Sequence, residues 1–204
     1  MLCNIRYMEY LDENFINVFT DGSQKQKPRR GGFGIVYVTD SGGDDWDEDD
    51  FVRPGYAGAT NQQMELWAVI EALHELRDGR TLPFDPKRFR RIVFFTDSAY
   101  VINGEKSAPY WEGDGWVNRD ARPVSNSHLW EMFLRARHKA PLRVEFKKVP
   151  AHSGVKYNEM ADNQARASAD KRVGKYLPGA AVARRKFSPQ QVKQGSIRPR
   201  GQTE

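Results

Sequence analysis

Arg91-Ile92-Val93-Phe94-Phe95-Thr96, followed at once by Asp97, is the stretch that decides the fold. It is a short apolar run bounded by polar residues, with no alternation that would give a strand one wet face. A strand of that kind is buried on both sides, in the middle of a sheet covered by helices. Working outward, Phe15-Ile16-Asn17-Val18-Phe19 and Phe33-Gly34-Ile35-Val36-Tyr37-Val38 read as two more strands, rich in β-branched and aromatic residues. Gly22, Pro28, Gly31 and Gly32 predict a turn between them. A third strand is expected near 53–59. Leu66, Val69, Ile70, Leu73 and Leu76 then recur at helical spacing. Thr60 and Gln63 fit a capping box ahead of that helix, and Asp78-Gly79 a C-cap behind it.

Past the central strand, a short helix is expected at 98–103 and an irregular Gly-, Pro- and Trp-rich surface segment at 104–125. Leu129, Met132, Phe133 and Ala136 mark a second long helix, Leu142-Arg143-Val144-Glu145-Phe146 a strand, and 158–169 a last helix with small residues for close packing. Strands that alternate with helices after an initial meander predict an α/β fold, a mixed sheet with helices on its faces.

The chain has 204 residues, 39% hydrophobic and 29% charged, which suits one domain with an appendage. Residues 1–14 read as an N-terminal lead, 15–170 as the domain, and 171–204 as a flexible tail. The net charge is +5, but 171–204 hold nine Lys/Arg against one acid, which leaves 23 bases and 26 acids in 1–170. The body is slightly acidic and its tail basic, so any attraction for a polyanion must be local. The acidic run at 41–50 reads as a solvated loop. No apolar run approaches the roughly 18 residues of a membrane span, and residues 1–14 lack the pattern of a secretory signal. The single cysteine, Cys3, excludes an internal disulfide framework and a thiolate metal cage. It points to a reducing cytoplasm.

Four acids sit where solvation does not account for them. Asp21 and Asp97 each directly follow a strand, and those strands are expected to be adjacent and central, so both carboxylates meet at one sheet edge. The crevice beyond strand ends is where α/β sheets bind ligands. Glu65 is expected in the first turn of its helix, and Asp162 among Met160, Ala161 and Ala165, with Glu159 on the opposite face. Each has a plain alternative: a turn or cap residue for the aspartates after strands, a favourable helix dipole for Glu65, an ordinary surface acid for Asp162, and a surface loop position for His152. Four acids converging would repel unless neutralised. Hard oxygen donors without thiolate select magnesium or manganese over zinc. Two such ions about 3.5–4 Å apart can clamp both oxygens of a phosphodiester displacement.

The segments Thr20-Asp21-Gly22-Ser23, Thr60-Asn61-Gln62-Gln63-Met64-Glu65-Leu66, Thr96-Asp97-Ser98-Ala99-Tyr100-Val101, and Val149-Pro150-Ala151-His152-Ser153-Gly154 with Asn158-Glu159-Met160-Ala161-Asp162 resemble, in order, the signature of the type 1 ribonuclease H family. Gly31-Gly32-Phe33-Gly34 resembles the glycine-rich start of the family's second strand. The resemblance runs from about residue 15 to about 170. It implies a five-stranded mixed sheet flanked by helices, a monomer, and endonucleolytic cleavage of the RNA strand of RNA–DNA hybrids, leaving 5′-phosphate and 3′-hydroxyl ends. It implies that Asp21, Glu65, Asp97 and Asp162 hold two Mg2+ ions (Mn2+ as a substitute). One ion activates the attacking water and the other stabilises the leaving 3′ oxygen. Glu65 lies near the RNA 2′-hydroxyl, which helps select RNA, and His152 assists as a mobile acid–base or product-release group rather than a ligand. Asn61 and Gln62 match positions that touch the hybrid's minor groove. Thr60 and Asn126 match a pocket for a DNA phosphate, although either can equally cap a helix.

The chain departs from the pattern in places. The stretch Ser107–Trp116 keeps Trp111 and Trp116, so stacking on DNA sugars by Trp111 survives. It has Glu112 and Asp114 where many relatives carry bases. Gly58 stands where some relatives place an arginine. The basic tail either compensates along the duplex by counterion release or is only a solubilising end. Two further readings compete: a non-catalytic hybrid- or RNA-binding module, opposed by the presence of all four acids, and a DNA-directed nuclease or integrase of the same superfold, opposed by the positions of Glu65 and His152.

Overall fold

A computed structural model describes residues 11–12, 14–39, 52–80, 82–151, 154–171 and 175–178. The acidic run at 41–50, His152 and the tail beyond 178 lie outside them. The elements are β1 (Phe15–Gln26), β2 (Arg29–Val38), β3 (Tyr56–Ala57), α1 (Asn61–Asp78), β4 (Arg91–Thr96), α2 (Ala99–Gly113), α3 (Ser127–His138), β5 (Arg143–Lys148) and α4 (Lys156–Asp170), with a 3-10 turn at Pro86–Arg88. The sheet order is β3-β2-β1-β4-β5. β1 pairs antiparallel with β2 and parallel with β4, and β4 pairs parallel with β5. The expected five-stranded mixed sheet is what forms, with the 91–96 stretch inside it. No helix of the described residues is long and apolar enough to cross a membrane.

Strand alternation divides the core in two. Ile16, Val18, Phe33, Ile35, Ile92 and Phe94 face the layer of α1, α2 and α3. Phe19, Val36, Val38, Val93 and Phe95 face α4. The unbroken apolar run of β4 follows from this: every side chain has a dry neighbour on its own face. Leu66, Ile70 and Leu73 of α1 are fully buried, each contributing roughly 1.5–3 kcal/mol. The expected capping box at α1 forms, with Gln63 N–H donating to Thr60 Oγ1 at 3.3 Å and Thr60 N–H to Gln63 Oε1 at 2.9 Å. Gly79 closes the helix with φ +65°.

Several local expectations need correction. The glycines at 22, 31 and 32 are not in a turn; β1 and β2 run through them, and the turn is confined to Lys27-Pro28. β3 is only two residues long, within the expected 53–59. Residues 104–113 are not irregular, since α2 continues to Gly113 with Pro109 inside it. Tertiary packing outweighs the helix breaker there. A Cβ on Gly104 would lie 2.1 Å from the Trp130 ring, and Ala108 is fully buried, so α3 holds this turn of α2 in place. Residues 175–178 of the segment read as tail lie against the domain. Ala57 N–H donates to the Lys175 carbonyl at 2.8 Å, and Leu177 is only 4% exposed.

Candidate active site

β1 pairs with β4 only as far as Phe19 opposite Phe95. Beyond that point β1 runs on alone beside β2. Asp21 therefore lies within a strand, opposite Gly34, rather than after its end. It sits where β4 has stopped and its neighbour is Asp97, so the expected meeting of the two carboxylates at one sheet edge is found.

Glycines bring the other two acids in. A Cβ on Gly22 would lie 2.3 Å from the Glu65 main-chain nitrogen, and one on Gly34 would lie 1.9 Å from the Ala161 carbonyl oxygen. Without those side chains, the backbones of α1 and α4 close onto opposite faces of the β1–β2 ladder. Glu65 and Asp162 then reach the same pocket as Asp21 and Asp97. Glu65 belongs to the second turn of α1, not the first, because the helix starts at Asn61. Its place owes more to this close approach than to the helix dipole.

The electrostatics follow from the crowding. Asp21 is 8% exposed. Burial, then the charges of Asp97, Asp162 and Glu65, push its carboxyl up to about 7 against the lowering effect of a hydrogen bond from the Gly22 backbone. Burial also raises Glu65, opposed by a hydrogen bond from Ser98 Oγ to Oε2 (2.6 Å) and another from Asn61 Nδ2 to Oε1 (2.8 Å), while Asp97 adds to the rise. Asn158 Nδ2 lies 3.5 Å from Asp97 Oδ2, and Arg166 pairs with Asp162 at 2.5 Å. Arg166 is the one cation among the described residues lining the pocket.

This donor set suits hard divalent cations: carboxylate oxygens, no thiolate, and a surplus of negative charge that raises the proton affinity of its most buried member. Among the described residues, no three of these groups are drawn close enough to form a finished coordination shell. The pocket brings the four carboxylates together.

Asn61 and Gln62 line the pocket at the start of α1. The two alternatives for Thr60 and Asn126 separate. Thr60 does cap α1, whereas Asn126 makes no side-chain cap and sits at φ 56°. Its amide instead accepts from Gln63 Nε2 (3.1 Å) and donates to Tyr100 Oη (3.1 Å), which ties α3 to α1. Trp111 is not in the pocket. Its ring packs 5.8 Å from that of Trp130 at the edge of the core, and Tyr110 beside it is the exposed ring. Ala151 lines the pocket, while His152 lies outside the described residues.

Ser98, Tyr100, Asn158 and Arg166 line the site without having been singled out from sequence, and Glu159 shares the pocket with Asp162 rather than facing away. Asn158, Asp162 and Arg166 are spaced four apart, so helical periodicity alone places them on one stripe of α4. Asn158 is 4% exposed, and its Oδ1 has no partner among the described atoms.

A mixed sheet of this order, with acids from the middle of β1, the end of β4 and two helices gathered in one pocket, defines a ribonuclease H-like α/β domain. The family model described as RNase H matches residues 13–170, and the chain belongs to that family. It is a ribonuclease H enzyme. A Ribonuclease H of Nitratidesulfovibrio vulgaris is 36% identical over 161 residues, which span 77% of this chain and 90% of that one. One from Vibrio cholerae is 33% identical, over 76% and 88% of the two chains. Among solved structures, LC9-RNase H1, a type 1 RNase H with the type 2 active-site motif, superposes with a TM-score of 0.58 at 24% identity, over 90% of this chain and 86% of that one. The PFV RNase H domain gives 0.55 at 22%, over 76% and 93%, a likeness of fold.

Proposed function

We propose that this chain cuts the RNA strand of RNA–DNA hybrids internally, using two magnesium ions and leaving 5′-phosphate and 3′-hydroxyl ends. One observation carries the reading: in an RNase H family chain, Asp21, Glu65, Asp97 and Asp162 converge from four separate elements on one pocket. Asp21 there is crowded enough to sit near 7. When bound, a pair of divalent cations supplies charge neutralisation and polarises both the attacking water and the leaving oxygen.

The residues of the chain do the rest. Ser98 and Asn61 each occupy one oxygen of Glu65, which fixes its carboxylate plane against the pocket wall. Asn61 and Gln62 present amides at the pocket mouth, where an RNA 2′-hydroxyl can both donate and accept. The Gln63–Asn126–Tyr100 chain fixes a second polar position for the backbone of the opposite strand. His152, next in sequence to pocket residue Ala151, is assigned the mobile acid–base role, and the chain is assigned to the cytoplasm as a monomer.

The test is incubation with end-labelled RNA–DNA hybrid and Mg2+. Internal cuts in RNA alone are expected, lost on chelation or in Asp97→Asn. Equal cutting of a DNA duplex overturns RNA selectivity. Hybrid binding without cleavage makes the chain a binding module.

A further inference from the structure

The pocket is acidic, and so is the end of α2, where Glu112 and Asp114 stand. Neither attracts a phosphate backbone. The described residues do carry a concentrated positive edge elsewhere. β1 outruns β4, and past the pocket residues Gly22, Ser23 and Gln24 it enters the stretch Lys25-Gln26-Lys27-Pro28-Arg29-Arg30. Four bases and no acid fall in those six residues, and residues 25–29 are exposed. Asp170, at the end of α4, forms an ion pair with Lys25 and offsets one charge of the four.

This edge is built rather than loose. Gly58 N–H donates to the Arg29 carbonyl at 2.9 Å, and Ala57 N–H to the Lys175 carbonyl at 2.8 Å. Main-chain bonds thus tie the β1–β2 turn, β3 and the segment 175–178 into one surface. Buried Leu177 anchors that segment, while the Tyr176 ring is 62% exposed and lies 3.7 Å from where a Gly58 Cβ would be. Gly58, at φ +69°, leaves the space that the ring covers. Cations neutralise the phosphates of a duplex backbone, and an exposed aromatic ring beside them offers an apolar face to a sugar.

We propose that Lys27, Arg29, Lys175 and Tyr176 form the grip of this chain on the backbone of the duplex leaving the pocket, in place of a basic projection at α2. The inference rests on the nucleic-acid function proposed above, but binding and cleavage test them separately. Binding of a fluorescent RNA–DNA hybrid is measured by anisotropy in EDTA over a range of KCl. Lys27→Ala/Arg29→Ala is expected to weaken affinity about tenfold at low salt and to reduce the slope of log affinity against log salt by about two. Tyr176→Ala is expected to weaken affinity severalfold with the slope unchanged, since apolar packing on a sugar releases no counterions. Lys87→Ala/Arg88→Ala, at the opposite end of the sheet, is the control and leaves both unchanged. Thermal unfolding checks that each variant is folded. In cleavage, the Lys27/Arg29 variant raises KM and leaves kcat intact. Parent-like affinity and slope for that variant, a loss equal to the control's, or no binding by the parent overturns the grip. A parent that binds with the full salt slope yet does not cut leaves the grip standing and removes the hybrid-nuclease reading.

Discussion

Two acidic sites lie at the two ends of α1, and the fold treats them oppositely. At one end, Glu75 receives two hydrogen bonds from Arg53, at 2.9 and 2.7 Å, and a third from the Tyr37 hydroxyl at 2.7 Å. Arg53 also donates to the Ile35 carbonyl at 3.4 Å. Its guanidinium matches the carboxylate geometry, so the charge is answered where it is buried. At the other end, five carboxylates, those of Asp21, Glu65, Asp97, Asp162 and the exposed Glu159, share a pocket with one arginine, and the other partners shown are neutral amides and a hydroxyl. Burying an acid without its counter-charge costs stability. On the metal-binding function proposed above, a cation from solution removes that cost at the pocket. The difference teaches how to tell a structural acid from a binding one: the first has its partner built in.

Substitutions that cross the two clusters test this division. The largest effect is expected for Asp97→Asn, which should lower hybrid cleavage about a thousandfold or more, the several kcal/mol of transition-state stabilisation that metal clamping supplies. Its metal-free thermal midpoint should not fall, because a repelling charge is lost. A clearly lowered midpoint would place Asp97 with the structural acids. Glu75→Ala should do the reverse, costing about 3–5 kcal/mol in urea unfolding because the buried Arg53 guanidinium loses the carboxylate that answers its charge. Cleavage per folded molecule is expected to stay near parental.

Asp21→Asn probes the same division through pH. The Asp21 carboxyl sits near 7 in the folded protein, above its ordinary 3.8. Between those values the folded chain keeps a proton that the unfolded chain has lost, so stability falls as pH rises through the window. Without divalent ions, Asp21→Asn should therefore be more stable than the parent by on the order of 1–3 kcal/mol at pH 8, and the gain should vanish below about pH 4. A gain that is independent of pH would rule out charge as its cause.

The smallest contrast concerns the C-terminal chain. Truncation after Asp170 removes buried Leu177 and is expected to cost about 1.5–3 kcal/mol, while truncation after Pro178 should change unfolding by less than about 0.5 kcal/mol. Equal losses would show that stability depends on residues past 178.

Much of this was legible without coordinates. The β4 run is apolar on both faces, which only a covered central strand permits, and the Leu66–Leu76 periodicity fixes α1. The candidate acids could be singled out because Asp21 and Asp97 follow apolar runs of sequence and Glu65 borders an apolar stripe. What was not legible depended on contacts between distant residues. Pro109 reads as a breaker, yet Trp130 keeps α2 helical around it. Gly22 reads as a turn former and Gly34 as an ordinary strand position, yet they serve as landing sites for α1 and α4. Trp111 reads as a stacking platform, and only the fold shows that one side of its half-buried ring packs on Trp130. Asn158 and Arg166 become notable only once α4 is laid over β2, although their four-residue spacing from Asp162 was visible.

The sequence by itself determined the class of fold, the order of its elements and the identity of the four acids, because hydrophobic periodicity and local capping are properties of neighbouring residues. Only the tertiary structure decided that those acids share one pocket, that Asp21 is raised by the others, and that a basic edge lies beside them. Those are properties of distance. Burial and Coulomb energy depend on which groups end up within a few ångströms of one another, and no short stretch of chain carries that information.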